Sequence, residues 1–162
     1  MTQEQLTLQA EQVAEVLRNA GLRMATAESC TGGWIAKICT DLVGSSDWFE
    51  GGFVTYSNEA KQIMIGVSAD TLQQHGAVSE AVAHKMAQGA VLNSLAEVAV
   101  AVTGIAGPGG ATENKPVGMV CFGWKKPGQA ATTETQYFDG DREAVRAQTV
   151  AHALQGIVKL LS

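Results

Sequence analysis

Three side chains suited to acyl-transfer chemistry, Ser29, Tyr56 and Lys61, fall where short apolar runs give way to helical spacing. Ser29 lies within Ala27-Glu28-Ser29-Cys30-Thr31-Gly32-Gly33. The apolar run before it, Leu22 to Ala27, has the length of a buried strand. Trp34, Ile35, Ile38, Cys39 and Leu42 after it repeat with helical period. The serine is therefore predicted on a sharp strand-to-helix turn. Amides at the start of a helix lack partners in the helix, and two glycines leave them open to a ligand. Amides near Cys30, Thr31 and Gly32 are candidates to hold an oxyanion, helped by the helix dipole. The same residues also suit a structural role, with Ser29 or Thr31 as a helix cap and the glycines serving the turn.

A serine hydroxyl needs a base to take its proton, most often histidine. The three histidines are poorly placed for that: His75 precedes a helix-ending glycine, and His84 and His152 fall inside helical patterns. A neutral lysine can replace histidine. Lys61 follows the cap Ser57-Asn58 and is flanked by Ala60, Ile63 and Met64, so burial would lower its pKa. The positive end of a helix dipole disfavours its charge further, and lysines ordinarily belong in the last turn of a helix rather than the first. A solvated surface lysine is the alternative. Tyr56, at the end of the preceding strand, is placed to orient the lysine, relay a proton or donate to developing charge, or else to pack as a strand aromatic.

Thr103-Gly104-Ile105-Ala106-Gly107-Pro108-Gly109-Gly110 follows the Val- and Ala-rich run Glu97 to Thr103. Thr103, Gly104 and Gly107 in this loop offer backbone amides to an anion, although the loop lacks the lysine of a P-loop. Arg146 falls near the middle of the apolar stripe of the last helical segment and Arg142 near its margin, so both are expected to point inward. An inward guanidinium needs an anionic partner, here either Glu28 or a substrate phosphate, and Arg142 is the better placed for a ligand. Cys30, Cys39 and Cys121 lack metal-ligand spacing, and no metal site is expected.

The elements that must position these groups follow from periodicity and breakers. Leu6, Val13, Val16 and Leu17 mark an opening helix that ends near Gly21. After the Ser29 turn and its helix, Trp48-Phe49 to Tyr56 reads as a strand with an irregularity at Gly51-Gly52. Short helices end at Gly66 and Gly76, and a longer one carries Val82, Met86 and Ala90 on one face. Val117 to Trp124 and Ala130 to Phe138 form a hairpin whose second strand lies at an edge. Asp139-Gly140-Asp141 caps the last helix, with Val145, Val150, Leu154 and Ile157 in its stripe. The expected fold is α/β, a three-layer α/β/α sandwich with a mixed, mainly parallel sheet, formed by residues 1–162 as one domain. If the strands before Ser29, Tyr56, Lys61 and the glycine loop are parallel neighbours, all these groups reach one edge of the sheet.

A net charge of -5 without a Lys/Arg cluster excludes a surface built for nucleic acid. No run approaches the ~20 apolar residues of a membrane span, and no secretory signal is evident, so a cytoplasmic location is expected.

With AESCTGG, YSNEAK and TGIAGPGG in order, followed by KPVG and FDGDREAVRAQTV, the chain resembles the CinA carboxy-terminal domain family from about Leu6 to Leu161. It looks most like that family's stand-alone nicotinamide-nucleotide amidohydrolases. The resemblance implies hydrolysis of nicotinamide mononucleotide to nicotinic acid mononucleotide and ammonia in pyridine nucleotide salvage, without a cofactor, by a homodimer. It places the nucleophile on Ser29, the base on Lys61 and a supporting role on Tyr56. The phosphate is then expected on the amides around Thr103, Gly104 and Gly107 or on Arg142. Two rivals are a Ser-Lys hydrolase of peptides or β-lactams and a non-catalytic nucleotide-binding or competence-associated module. The first is disfavoured because the β-lactam enzymes keep serine and lysine about three residues apart on one helix.

Overall fold

The computed structural model describes residues 1–162. Its first helix, α1 (Gln3–Ala20), begins with a reciprocal cap between Thr2 and Gln5 and ends at Gly21 in the left-handed region. The run Met24–Glu28 forms β1, buried along its whole length, and leads through the Ser29 turn into α2 (Trp34–Thr40). A short 3-10 turn precedes β2 (Phe49–Val54), so Trp48 lies before the strand and fully buried. Helices α3 (Asn58–Ile65), α4 (Ala69–His75) and α5 (Glu80–Leu92) follow, each started by a serine side chain accepting an amide of its first turn. Then come β3 (Val98–Gly104), the hairpin strands β4 (Met119–Lys125) and β5 (Thr132–Tyr137), and α6 (Arg142–Leu161), capped by Asp141.

The strands lie in the order β2-β1-β3-β4-β5. β1 pairs in parallel with both β2 and β3, while β4 runs antiparallel to β3 and to β5. Four strands thus share one direction although only two of the ladders are parallel, which gives a specific meaning to the expected mainly parallel sheet. The register of β2 on β1 slips at its start, where Met24 faces Phe49 and Ala25 faces Gly51, leaving Glu50 as the extra residue.

Alternation along the buried strands sorts the core into two layers. Met24, Val98, Val100, Val102, Val120 and Phe122 face α1, α2 and α6, packing on Leu6, Val13, Leu17, Ile35, Val150, Leu154 and Ile157. Ala25, Ala27, Ala99 and Ala101 face the other way, toward Ile65, Leu72, Val82 and Met86 of α3, α4 and α5. The small alanines let α5 lie close to the sheet. Gly89 does the same between helices: a Cβ there would overlap the Ile65 carbonyl at the end of α3. The carboxyl ends of β1, β2, β3 and β5 and the start of β4 therefore meet at one edge, where the chemistry-bearing loops gather.

Candidate active site

The Ser29 turn is held from below by Glu28. Its carboxylate, only 1% exposed, accepts hydrogen bonds from Thr31 Oγ1 (2.6 Å) and from the amides of Ile35 (2.9 Å) and Ala36 (3.0 Å). Glu28 thus caps α2, whose own cap residue, Gly33, has no side chain to do so and sits at φ 104°. A buried carboxylate is stable here because charge-assisted bonds surround it. The Ser29 amide donates to Val102 O at 3.1 Å, which ties the turn to β3.

Lys61 reaches the same point from α3. Its side chain is 1% exposed, and Nζ stands 3.1 Å from Ser29 Oγ, 3.0 Å from Thr55 O and 3.2 Å from Tyr56 O. No carboxylate pairs with it. Burial pushes its pKa below the usual lysine value, opposed only by the nearby Cys30 thiol. A neutral amine has two N–H bonds and one lone pair, and this set of neighbours matches that inventory: two carbonyls to receive N–H donations and one hydroxyl to give its proton to the lone pair. When Lys61 is protonated, Ser29 O–H turns to Tyr56 O at 3.4 Å instead. Cys30 is no rival nucleophile, because burial raises its thiol pKa to about 12 and keeps it protonated.

Tyr56 contributes differently from the sequence expectation. Its backbone carbonyl, not its phenol, touches Lys61, and the side chain is 61% exposed at the mouth of the site. There the phenol oxygen accepts from Arg142 Nη2 at 3.2 Å, while Arg142 Nη1 donates to Gly107 O at 2.8 Å. Arg142 is exposed rather than turned into the core, and Arg146 is half-buried. Neither arginine meets Glu28, whose oxygens are already taken by α2. Arg146 instead donates through Nε to Cys30 O and through Nη2 to Thr31 O, both at 3.0 Å.

Ser29, Cys30, Tyr56 and Lys61 from the first half of the chain and Thr103, Gly104, Gly107 and Arg142 from the second border one cleft of about 300 Å3. Thr31 and Gly32 lie outside it. The Gly32 amide donates to Ser29 O (3.1 Å), whereas the amide of Thr31 has no backbone partner and that of Cys30 lies only against its own thiol. Sequence reasoning missed Asn58, which lines the cleft and sits one helical turn before Lys61, a spacing that could have marked it. It also missed Ala77 and Val78, drawn in by the bond from Thr103 Oγ1 to Ala77 O at 2.9 Å; no sequence signal marks that contact. A second cavity, about 520 Å3, lies between β5 and α6 around His152 and Glu134, which bond each other at 2.9 Å. Its lining has no serine or cysteine, and its histidine is bonded to Glu134.

Residues 6–161 match the CinA C-terminal domain. The chain belongs to the CinA C-terminal domain family. It is 54% identical over 155 residues to the nicotinamide-nucleotide amidohydrolase PncC of Escherichia coli strain K12, covering 96% of this chain and 94% of that protein. It is 50% identical over 157 residues to a putative competence-damage inducible protein of Symbiobacterium thermophilum, covering 92% of this chain but 37% of that longer protein. The crystal structure of the competence/damage inducible protein CihA from Agrobacterium tumefaciens superposes with a TM-score of 0.93 at 43% identity, covering 98% of this chain and 96% of that one. Members of the CinA family thus occur both at this length and as part of longer chains. In this CinA domain no helix is long and apolar enough to cross a membrane.

Proposed function

We propose that the chain hydrolyses the carboxamide of nicotinamide mononucleotide, with Ser29 as nucleophile and Lys61 as its base. The observation that carries this reading is a buried lysine amine without a counter-ion, 3.1 Å from a serine oxygen in a cleft. Similarity to PncC amidohydrolases over nearly the whole chain supports the substrate class.

Neutral Lys61 accepts the Ser29 proton as Oγ attacks the carboxamide carbon, and the tetrahedral oxyanion rests on the amide of Cys30. Lys61 then passes that proton to the departing nitrogen, the C–N bond breaks, and ammonia leaves an acyl ester on Ser29. Water, losing its proton to the again neutral Lys61, attacks the ester and releases the acid as Ser29 Oγ recovers a proton. Arg142 and the loop amides after Gly104 hold the phosphate. The reaction so written uses no cofactor. The same proposal carries a single catalytic domain acting as a homodimer in the cytoplasm, in pyridine nucleotide salvage; the three free thiols suit a reducing compartment.

The test is ammonia release from nicotinamide mononucleotide. Wild type is expected to be active, and Ser29→Ala and Lys61→Ala are each expected to lose at least ~10^3-fold in kcat. Full activity in both variants overturns the dyad. An inactive wild type, with the nucleotide still bound, favours the non-catalytic module.

A further inference from the structure

The half-buried guanidinium of Arg146 has no carboxylate partner and no place in the cleft, yet it is anchored through Nε and Nη2. It lies over the Trp34 ring, with its carbon 5.7 Å from the ring centre. Gly32 packs directly beside it: a Cβ there would stand in van der Waals contact, 3.4 Å from Nη2.

What it grips is the backbone immediately after Ser29. In a trans peptide the C=O and the next N–H point in opposite directions. Holding Cys30 O therefore fixes the N–H of Thr31, and holding Thr31 O fixes the N–H of Gly32. The Gly32 N–H donates to Ser29 O, and that peptide plane fixes the N–H of Cys30. One guanidinium thus fixes two consecutive peptide planes directly, and through the Gly32-to-Ser29 bond it braces the third. Two of their N–H groups, on Cys30 and Thr31, bond no other residue's backbone, and Cys30 borders the cleft beside Ser29.

We infer that Arg146 is a positioning residue: from outside the cleft, by gripping the carbonyls of Cys30 and Thr31, it holds the turn in the shape that presents the Cys30 amide to the oxyanion formed on Ser29 attack. This rests on the hydrolase reading above. It also separates the two arginines of the last helix, Arg142 facing ligand and Arg146 facing the backbone of the nucleophile turn.

The experiment compares wild type, Arg146→Met and Arg146→Lys in two readouts: steady-state hydrolysis of nicotinamide mononucleotide, and the rate at which a fluorophosphonate probe labels Ser29. The probe's phosphonyl oxygen uses the same amide without needing the nucleotide. In Arg146→Met, kcat and the labelling rate are expected to fall together by roughly 10- to 100-fold, with KM within about threefold and the acidic limb of the pH profile unmoved. Arg146→Lys is expected to regain part of both rates, having the charge but not the two-pronged geometry. A rise in KM with kcat and labelling unchanged overturns the inference and makes Arg146 a substrate contact. A shifted acidic limb also overturns it, since the residue then acts on Lys61. If wild type turns over no nicotinamide nucleotide, the hydrolase reading fails separately, and equal labelling of wild type and Arg146→Met overturns the inference on its own. Should the methionine variant lose cooperative unfolding, the lysine variant decides by the same readouts, with wild-type rates counting against Arg146.

Discussion

At the scale of single residues, two arginines in one short stretch do different work because of what each can reach. Arg146 faces carbonyls of the Ser29 turn, whereas Arg142 stands at the mouth of the cleft and joins Gly107 O to the Tyr56 phenol. The Arg142 contacts are to neutral groups, so its charge is left for an anion entering beside the glycine loop. Arg142→Ala is therefore expected to raise KM for nicotinamide mononucleotide by about 10- to 100-fold, a charge-assisted bond being worth roughly 1.5–3 kcal/mol. Turnover of nicotinamide riboside, which lacks the phosphate, should change less than about threefold. Steady-state kinetics on both substrates check this, and equal losses would make Arg142 a structural link between loop and strand. Ser29 and Lys61 were legible in sequence because a glycine turn and a lysine early in a helix both break ordinary patterns. The partner of Arg146 was not, since a backbone carbonyl leaves no mark on residue type. Tyr56 was found for its phenol, while the group that meets the lysine is its carbonyl.

Among the elements, α3 carries Lys61, the proposed base, and it is a helix of 8 residues that cannot hold itself in place. Its position is set at one end by the Ser57 cap and at the other by Ile65, which packs against α5 where Gly89 lets the two backbones close up. Hairpin, caps and strand-helix alternation were readable from breakers and periodicity. Gly89 was not, because a glycine inside a helical pattern announces no particular neighbour. Helix propensity alone says that Gly89→Ala should stabilise α5 by about 1 kcal/mol. The added methyl would instead strike the Ile65 carbonyl, so the variant is expected to be less stable than wild type by about 1–3 kcal/mol. Because α3 must shift to relieve the clash, kcat should fall as well, through the distance from Lys61 Nζ to Ser29 Oγ. Urea unfolding gives the sign that separates these accounts: a gain in stability would mean that the helix contact yields freely.

For the molecule as a whole, the direction of β5 matters as much as the parallel trio, because it returns the chain to the active edge and starts α6 there, with both arginines in its first turns. Alternation of strands and helices could be read from the sequence, but the order β2-β1-β3 could not, since strands as short as Met24–Glu28 and as uniform as Val98–Gly104 do not name their neighbours. The folded molecule also bears a cost for its buried amine, visible in its stability against pH. Lys61 has a folded pKa lowered by burial, and the unfolded chain titrates near ~10.4. Between those two values the unfolded state holds a proton that the folded state does not, so Lys61 makes stability rise with pH across that window. Cys30, Cys39 and Cys121 act oppositely, their pKa values being raised by burial, so the unfolded thiols ionise first, near ~8.5, and stability falls as pH climbs past that point. Comparing wild type with Lys61→Met cancels the thiol contribution, since the same cysteines are present in both. Thermal unfolding at intervals from about pH 6 to 9.5 should therefore show wild-type Tm gaining on that of Lys61→Met as pH rises within the window. Parallel Tm curves would mean that the amine is charged in the folded protein throughout this range, and a charged amine cannot take the Ser29 proton.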